Sequence, residues 1–304
     1  MSVQSLIGIV CLTLGFLQAT TCSSSGIGTN RDVKAPSAQA EQNGGQDKMD
    51  ILVQRVSSKD PSATLLAKQL GKSATPSLIP LATNADPVVR EIALRCLDQS
   101  GGSGVAEVFV GALLDNSGSV RAAALTGLQN HLDGSIYTQL LGAFDKSGDA
   151  ITRQQIALLI GRLDGARLND LQPRCSAEKD TEAQEGCVTA LARMGDRSAQ
   201  AEFVRRLHSA KDRELKRYLD YVSYIHQIWA VKALAPILEN KSPVLRIGVD
   251  GLPGKVPEYL RACDIAVNLL VEIGGINLSF AVNGRTNYTD AQLAEARRAL
   301  NELP

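Results

Sequence analysis

One position recurs along this chain at intervals close to thirty-one residues, and that recurrence restricts the fold more than any other feature. Arg90, Arg121, Arg153, Gln184, Lys216 and Arg246 follow one another at spacings of 31, 32, 31, 32 and 30. Four residues before each stands Asp86, Ser117, Asp149, Asp180, Asp212 or Ser242. Asp and Ser oxygens accept hydrogen bonds from the open amides of a helical first turn. Pro87 and Pro243 then fill the first helical position, where a missing N–H costs nothing. Three residues after the recurring position come Ala93, Ala124, Ile156, Cys187, Leu219 and Val249, and seven after it come Leu97, Leu128, Ile160 and Leu191. Offsets of three and seven lie on one helical face. A degenerate earlier copy begins at Asp60-Pro61.

Shorter apolar stripes lie between these helices, at Pro76–Ala82, Val105–Leu114, Ile136–Phe144, Ala199–Leu207 and Val231–Leu238. The unit is a short helix, a turn, a longer helix and a loop. One helix pair cannot bury its apolar face alone, so successive pairs share a core. The apolar content is carried by Ala and Leu, with aromatics only 4%, which favours helix over strand. The expected fold is all-α, an α-solenoid of about seven helix pairs.

The segments DPVVREIALRCL and SGSVRAAALTGL resemble the D-x-x-V-R-x-x-A-x-x-x-L pattern of short bacterial HEAT repeats. The resemblance covers roughly residues 60–275, and the tail LRACDIAVNLLVEIGG with TDAQLAEARRALNEL is similar to the closing segment of such proteins. It implies a non-catalytic scaffold that binds another protein on a concave face lined by the second helices. It also implies a ladder in which an Asp or Asn six residues before each arginine pairs with arginines of neighbouring repeats. Asn84, Asp115 and Asn240 stand at that offset, with Arg90, Arg121, Arg153 and Arg246 as the cations. Ser147 breaks the pattern, as do Gln184 and Lys216 in place of arginine. The outward positions expected to meet a partner are Glu91, Arg95, Gln129, Arg162, Arg193, Arg217, Tyr221 and Tyr224. Some HEAT-like proteins attach bilin pigments, so an enzyme or enzyme accessory of that class is the alternative.

The amino terminus differs from the rest. Leu6–Leu17 is a twelve-residue apolar run, short for a bilayer span and suited to the core of a signal peptide. Cys22 follows Ala19-Thr20-Thr21 and precedes three serines, which resembles a bacterial lipoprotein start. Two outcomes are open: lipidation of Cys22, or cleavage near Ala19 to leave a secreted soluble protein. Residues 1–22 are read as the signal, 23–48 as a polar disordered tether, 49–275 as the solenoid, and 276–304 as a C-terminal loop and capping helix. The expected location is the periplasm or a membrane-anchored lipoprotein of the cell envelope, with membrane contact only through that anchor. A cytosolic scaffold is the remaining alternative.

The 32 basic and 32 acidic residues cancel, and no Lys/Arg run exceeds two, so no nucleic-acid partner is expected. His131, His208 and His226 have no metal spacing, and no catalytic, cofactor or metal-binding set is expected. Cys96 and Cys263 read as small core residues. Cys175 precedes Cys187 by twelve residues in LQPRCSAEKDTEAQEGC, the longest expected connection. In an oxidising compartment a Cys175–Cys187 bridge would pin that loop and stabilise the fold by roughly 3 kcal/mol; two reduced thiols are the alternative. The segment YLDYVSYIHQIW holds three of the six tyrosines and the only tryptophan. It is either a binding surface, since Tyr and Trp bury area at low entropy cost, or a repacked core. The adjoining Arg205, Arg206, Lys211, Arg213, Lys216 and Arg217 fit an acidic protein, a glycan or phospholipid headgroups, or a solvated face.

Overall fold

In the computed structural model residues 38–247 and 258–304 are described, and the folded unit runs from Gly45 to Pro304. The signal segment with Cys22, and residues 23–37 of the expected tether, lie outside the described residues. In chain order the elements are α1 (Ala38–Ser57), α2 (Ala63–Leu70), α3 (Thr75–Leu78), α4 (Pro87–Ser100), α5 (Val105–Ala112), α6 (Gly118–Asn130), α7 (Tyr137–Lys146), α8 (Ala150–Arg162), α9 (Leu168–Ala177), α10 (Thr181–Arg193), α11 (Arg197–Ser209), α12 (Asp212–Ile225), α13 (Ile228–Lys232), β1 (Pro243–Arg246), β2 (Tyr259–Arg261), α14 (Ala262–Gly274) and α15 (Asp290–Asn301). The chain is mostly helical, with one two-stranded ribbon among the described residues. No described helix is long and apolar enough to cross a membrane.

The second helices α4, α6, α8, α10 and α12 stand where the thirty-one-residue spacing puts them. Each packs against the next: α2 on α4, α4 on α6, α6 on α8, α8 on α10, α10 on α12. The shorter helices α5 and α7 also touch one another. One continuous core results, with Ala93 and Leu97 of α4, Ala124 and Leu128 of α6, and Ile156 and Ile160 of α8 all at 0% exposure. Each buried Leu or Ile stabilises the fold by about 1.5–3 kcal/mol relative to exposure.

Capping is shared between two positions. Asp86 accepts from the Val88 amide and Asp149 from Thr152, whereas Ser117 and Asp180 make no side-chain cap bond. The residue two places earlier closes an Asx-type turn instead. Asn84 Oδ1 accepts from the Asp86 amide at 2.9 Å, Asp115 Oδ1 from Ser117 at 2.8 Å, and Glu178 Oε1 from Asp180 at 3.0 Å. Asp212 is not a cap: the helix is entered at Lys211, and Asp212 is its first residue, at φ +50°.

Four expectations are corrected. Helix α1 starts at Ala38, inside the segment 23–48 assigned to the tether. From residue 49 onward its apolar positions recur at helical spacing, and Leu52 and Val56 are fully buried. The connection expected around Cys175 contains α9, which periodicity misses because Leu171 is its single buried residue and Pro173 lies within it. The sixth copy is not a helix. Pro243–Arg246 is strand β1, antiparallel to β2 with an irregularity between Pro243 and Leu245. A helix continuing from Pro243 would hold Gly248, Gly251 and Pro253, costing about 1 kcal/mol for each glycine and about 3 for the proline. The preceding short helix is α13, which begins at Ile228 and ends at Lys232 rather than reaching Leu238.

The C-terminal part closes the core. Thr289 and Gln292 form a reciprocal capping box at the start of α15. Asp264 is fully buried in α14 and fully partnered. It accepts from Arg261 Nη2 at 2.7 Å, Arg261 Nε at 2.9 Å and the Tyr288 amide at 2.9 Å. The segment around Asn283 is a turn, where Asn283 Oδ1 accepts from the Arg285 amide and the Thr286 hydroxyl, and no strand pair forms there.

Candidate partner-binding site

The recurring arginines tie each inter-helix turn to the next. Arg90 grips Asp115 with two charge-assisted bonds, Nε to Oδ2 at 2.7 Å and Nη2 to Oδ1 at 2.8 Å, and donates to the Asn84 carbonyl of its own turn. This planar fork-on-fork contact adds geometric register as well as attraction. The guanidinium holds the Asp115 carboxyl below the usual carboxylate range. Arg121 donates back to the Asp115 carbonyl and forward to Thr152 Oγ1, with Asp149 3.7 Å away. Ser147 offers no charge, so this forward contact moves to the cap residue. Arg153 donates to the Ser147 carbonyl and pairs with Glu178 at 2.6 Å and Asp180 at 2.5 Å. Glu178 is a ladder carboxylate that the sequence reading passed over, although it stands six residues before Gln184, at the same offset as Asn84 and Asp115.

Beyond Arg153 the ladder stops. Gln184 keeps only the backward bond, to the Glu178 carbonyl at 2.8 Å. Lys216 turns to Asp220 on its own helix. Asn240 accepts from the Ser242 amide, and Arg246 lies on strand β1 with Nε 3.8 Å from Glu258.

The expected partner row divides into two groups. Arg95 and Gln129 are exposed, Glu91 is half-buried and bonded to Arg95 at 2.8 Å, and Arg162 is exposed. These side chains, on α4, α6 and α8, face solvent, as does the exposed Arg217 of α12, whose Nε lies 3.1 Å from Glu185. Arg193, Tyr221 and Tyr224 do not, and their expected outward placement is corrected. Tyr221 is 7% exposed and its hydroxyl meets Gln154 Nε2 at 3.2 Å. Tyr224 donates to the Leu158 carbonyl at 2.7 Å. Both tyrosines belong to α12 and both partners to α8, so α12 reaches across α10. Arg193 donates to the carbonyls of Gly161, Tyr224 and Ile225, and its guanidinium stacks 5.1 Å from the Tyr224 ring.

Two glycines permit this close stacking. A Cβ on Gly186 of α10 would fall 2.6 Å from the Gln154 carbonyl oxygen, and one on Gly161 of α8 would collide with the Tyr224 hydroxyl and sit 3.0 Å from Ala190 Cα. The aromatic segment is therefore mostly interior: Tyr218 lies 5.6 Å from Phe203, which lies 6.0 Å from Trp229.

Two open clefts flank Arg206, between α10 and α11. One, of about 250 Å³, is lined by Cys175, Cys187, Gln184, Glu202 and Arg206. The other, of about 260 Å³, is lined by Glu182, Glu185, Arg205, Arg206, Arg217 and Tyr218. At the floor of the second, Glu185 is 5% exposed, with Arg217 at 3.1 Å and Gln154 at 3.4 Å. Burial raises the Glu185 pKa, and Arg217 opposes that rise. The basic stretch is largely neutralised within the fold. Arg205 and Arg206 both bind Glu202 at 2.6 Å, and together they pull its carboxyl to about 2.

Cys175 and Cys187 are joined by a disulfide with Cα atoms 5.4 Å apart, while Cys96 and Cys263 are free and buried. His131 bonds the Asp98 carbonyl, His208 the Ala233 carbonyl, and His226 ends α12 in the left-handed region at φ +52°. No protein-family model matches this chain. No curated protein sequence aligns with it significantly.

Proposed function

We propose that the chain is a non-catalytic, HEAT-type α-solenoid scaffold, exported and tethered at a membrane surface through Cys22, that binds another protein. The partner rests on the face of the second helices, over α4, α6 and the end of α8. The observation that carries this reading is the arginine ladder. Arg90, Arg121 and Arg153 each reach forward to the next repeat, at Asp115, Thr152 and Glu178, so Arg95, Gln129 and Arg162 are held on rigid elements while remaining exposed. Polar side chains on stacked helices suit an extended protein contact better than a small enclosed ligand. Past α8 the row is broken, because Arg193, Tyr221 and Tyr224 pack inward, and Arg217 on α12 is the expected position that stays exposed beyond the break.

The test places a photo-crosslinking residue at Arg95, Gln129 or Arg162, with exposed Glu107 of α5 as the control. The expected result is one crosslinked protein shared by the three row positions and absent at position 107. Equal crosslinking at position 107, or none in the row, refutes the proposal. Mass spectrometry of the mature amino terminus tests the tether: a diacylated Cys22 is expected, and an intact Met1 or Ser2 refutes it.

A further inference from the structure

We propose that the Cys175–Cys187 bridge is a thiol–disulfide exchange site that takes a dithiol, and that opening it releases α9 while the surrounding helices stay in place. The argument starts from how weakly α9 is otherwise held. Leu171 is its single buried residue, against eight on α10. Leu168 adds a half-buried contact with the core, and the other attachments are polar: Tyr137 Oη to Asp170 at 3.0 Å, Arg174 to Asp145 at 2.8 Å, and Gln172 to Asp196 at 3.5 Å. Exposed polar contacts of this kind contribute little. A covalent bond stands where an apolar stripe holds the neighbouring first helices, such as α7 with Leu140, Leu141, Ala143 and Phe144 buried.

The bridge is also reachable. Both cysteines line the open cleft of about 250 Å³, and Cys175 is half-buried while Cys187 is 2% exposed. A thiolate of the dithiol attacks Cys175 Sγ, the Cys175–Cys187 bond breaks, and its electron pair leaves on Cys187, which takes up a proton. The second thiolate of the dithiol then attacks the mixed disulfide and expels Cys175 as a thiolate, which is also protonated. The dithiol ends as its cyclic disulfide, and two electrons and two protons have passed to the protein. Cys96 and Cys263 take no part, since both are fully buried and burial raises both thiols, Cys96 to about 12.

Opening is confined to α9 because the chain remains fastened just beyond it. Glu178 follows α9 directly and stays held by Arg153. Val188 and Leu191 of α10 line the cleft, so withdrawal of α9 widens it over an apolar floor.

The experiment treats the oxidised full-length protein with dithiothreitol at neutral pH without denaturant, alkylates it, and follows amide hydrogen exchange by mass spectrometry. The expected result is alkylation at Cys175 and Cys187 with Cys96 and Cys263 unmodified, and exchange across 168–177 accelerated at least about tenfold with peptides of α8 and α12 unchanged. Reoxidation restores protection, and the Cys175→Ser/Cys187→Ser double variant shows the same local pattern without reductant. Three results would each overturn the proposal: a bridge that resists dithiothreitol until denaturant is added, unchanged exchange in α9 after reduction, or accelerated exchange throughout the chain.

Discussion

Adding one methyl group at two helical glycines should move stability in opposite directions. At Gly186 the new Cβ would lie 2.6 Å from the Gln154 carbonyl oxygen, 2.7 Å from its Cγ and 2.8 Å from its Cα. Ordinary contact begins near 3.5 Å, so α8 and α10 must part by ~0.9 Å, and gaps of that size forfeit a quarter to a half of the dispersion energy along the contact. Two of the three obstructing atoms are backbone, so no rotamer change relieves them, and the upper end of the overpacking range applies, about 3 kcal/mol. Replacing Gly by Ala inside a helix returns about 1 kcal/mol, leaving Gly186→Ala less stable than the parent by ~2 kcal/mol. Gly142, inside α7, has nothing within 4 Å of a built Cβ. There only the propensity term operates, and Gly142→Ala should gain about 0.5–1 kcal/mol. Urea unfolding followed by far-ultraviolet circular dichroism, with the disulfide intact, reads both as shifts in midpoint at constant slope. A Gly186→Ala protein as stable as the parent, or a Gly142→Ala protein less stable, would show that backbone proximity of α8 and α10 does not govern the stack.

Three further outcomes follow from the charged groups. The Glu178 carboxyl is held at about 2, from an ordinary 4.5, chiefly by Arg153. At about 1.4 kcal/mol for each unit, this contributes ~3 kcal/mol that is complete above pH 4.5 and lost as pH falls towards 2. Glu178→Gln should therefore flatten the acid limb of the stability profile, and an unaltered limb would contradict the assignment. Glu185 has the opposite sign: burial raises its pKa, so its ionised form opposes folding above that pKa. Glu185→Gln should match or exceed the parent in stability at pH 7 and lose that advantage near pH 4, read from thermal midpoints at both values. Arg90→Ala, which removes both bonds to Asp115, should lower the unfolding midpoint while the crosslinking pattern at Arg95 and Gln129 is retained; a variant with parental stability that loses its crosslinks would make Arg90 a contact residue.

The helices that carry the stack could be read in advance because their signals are local. Each of Asp86, Asp149 and Arg153 acts within a few residues or within one repeat, and the apolar offsets of three and seven describe a single helix. Where the signal was absent, the reading failed. Helix α9 has no stripe to detect, since a disulfide substitutes for burial. The Ser242 copy carried a cap and a proline, but the glycines and proline after it outweigh them. Glu178 could have been found, because its offset from Gln184 repeats that of Asp115 from Arg121.

The facing of Tyr221 and Tyr224 is of another kind. Their three-residue spacing is equally consistent with an inward or an outward stripe. The choice depends on α8, more than sixty residues away, whose Gln154 and Leu158 they contact. The sequence alone determined that this chain forms helices at a thirty-one-residue period and that its arginines stand where successive turns meet, because caps, periodicity and spacing act over single turns and single repeats. Only the tertiary structure decided which part of the second-helix face stays open, because that depends on how closely α8 and α10 approach at Gly161 and Gly186, and on where α12 comes to rest across them.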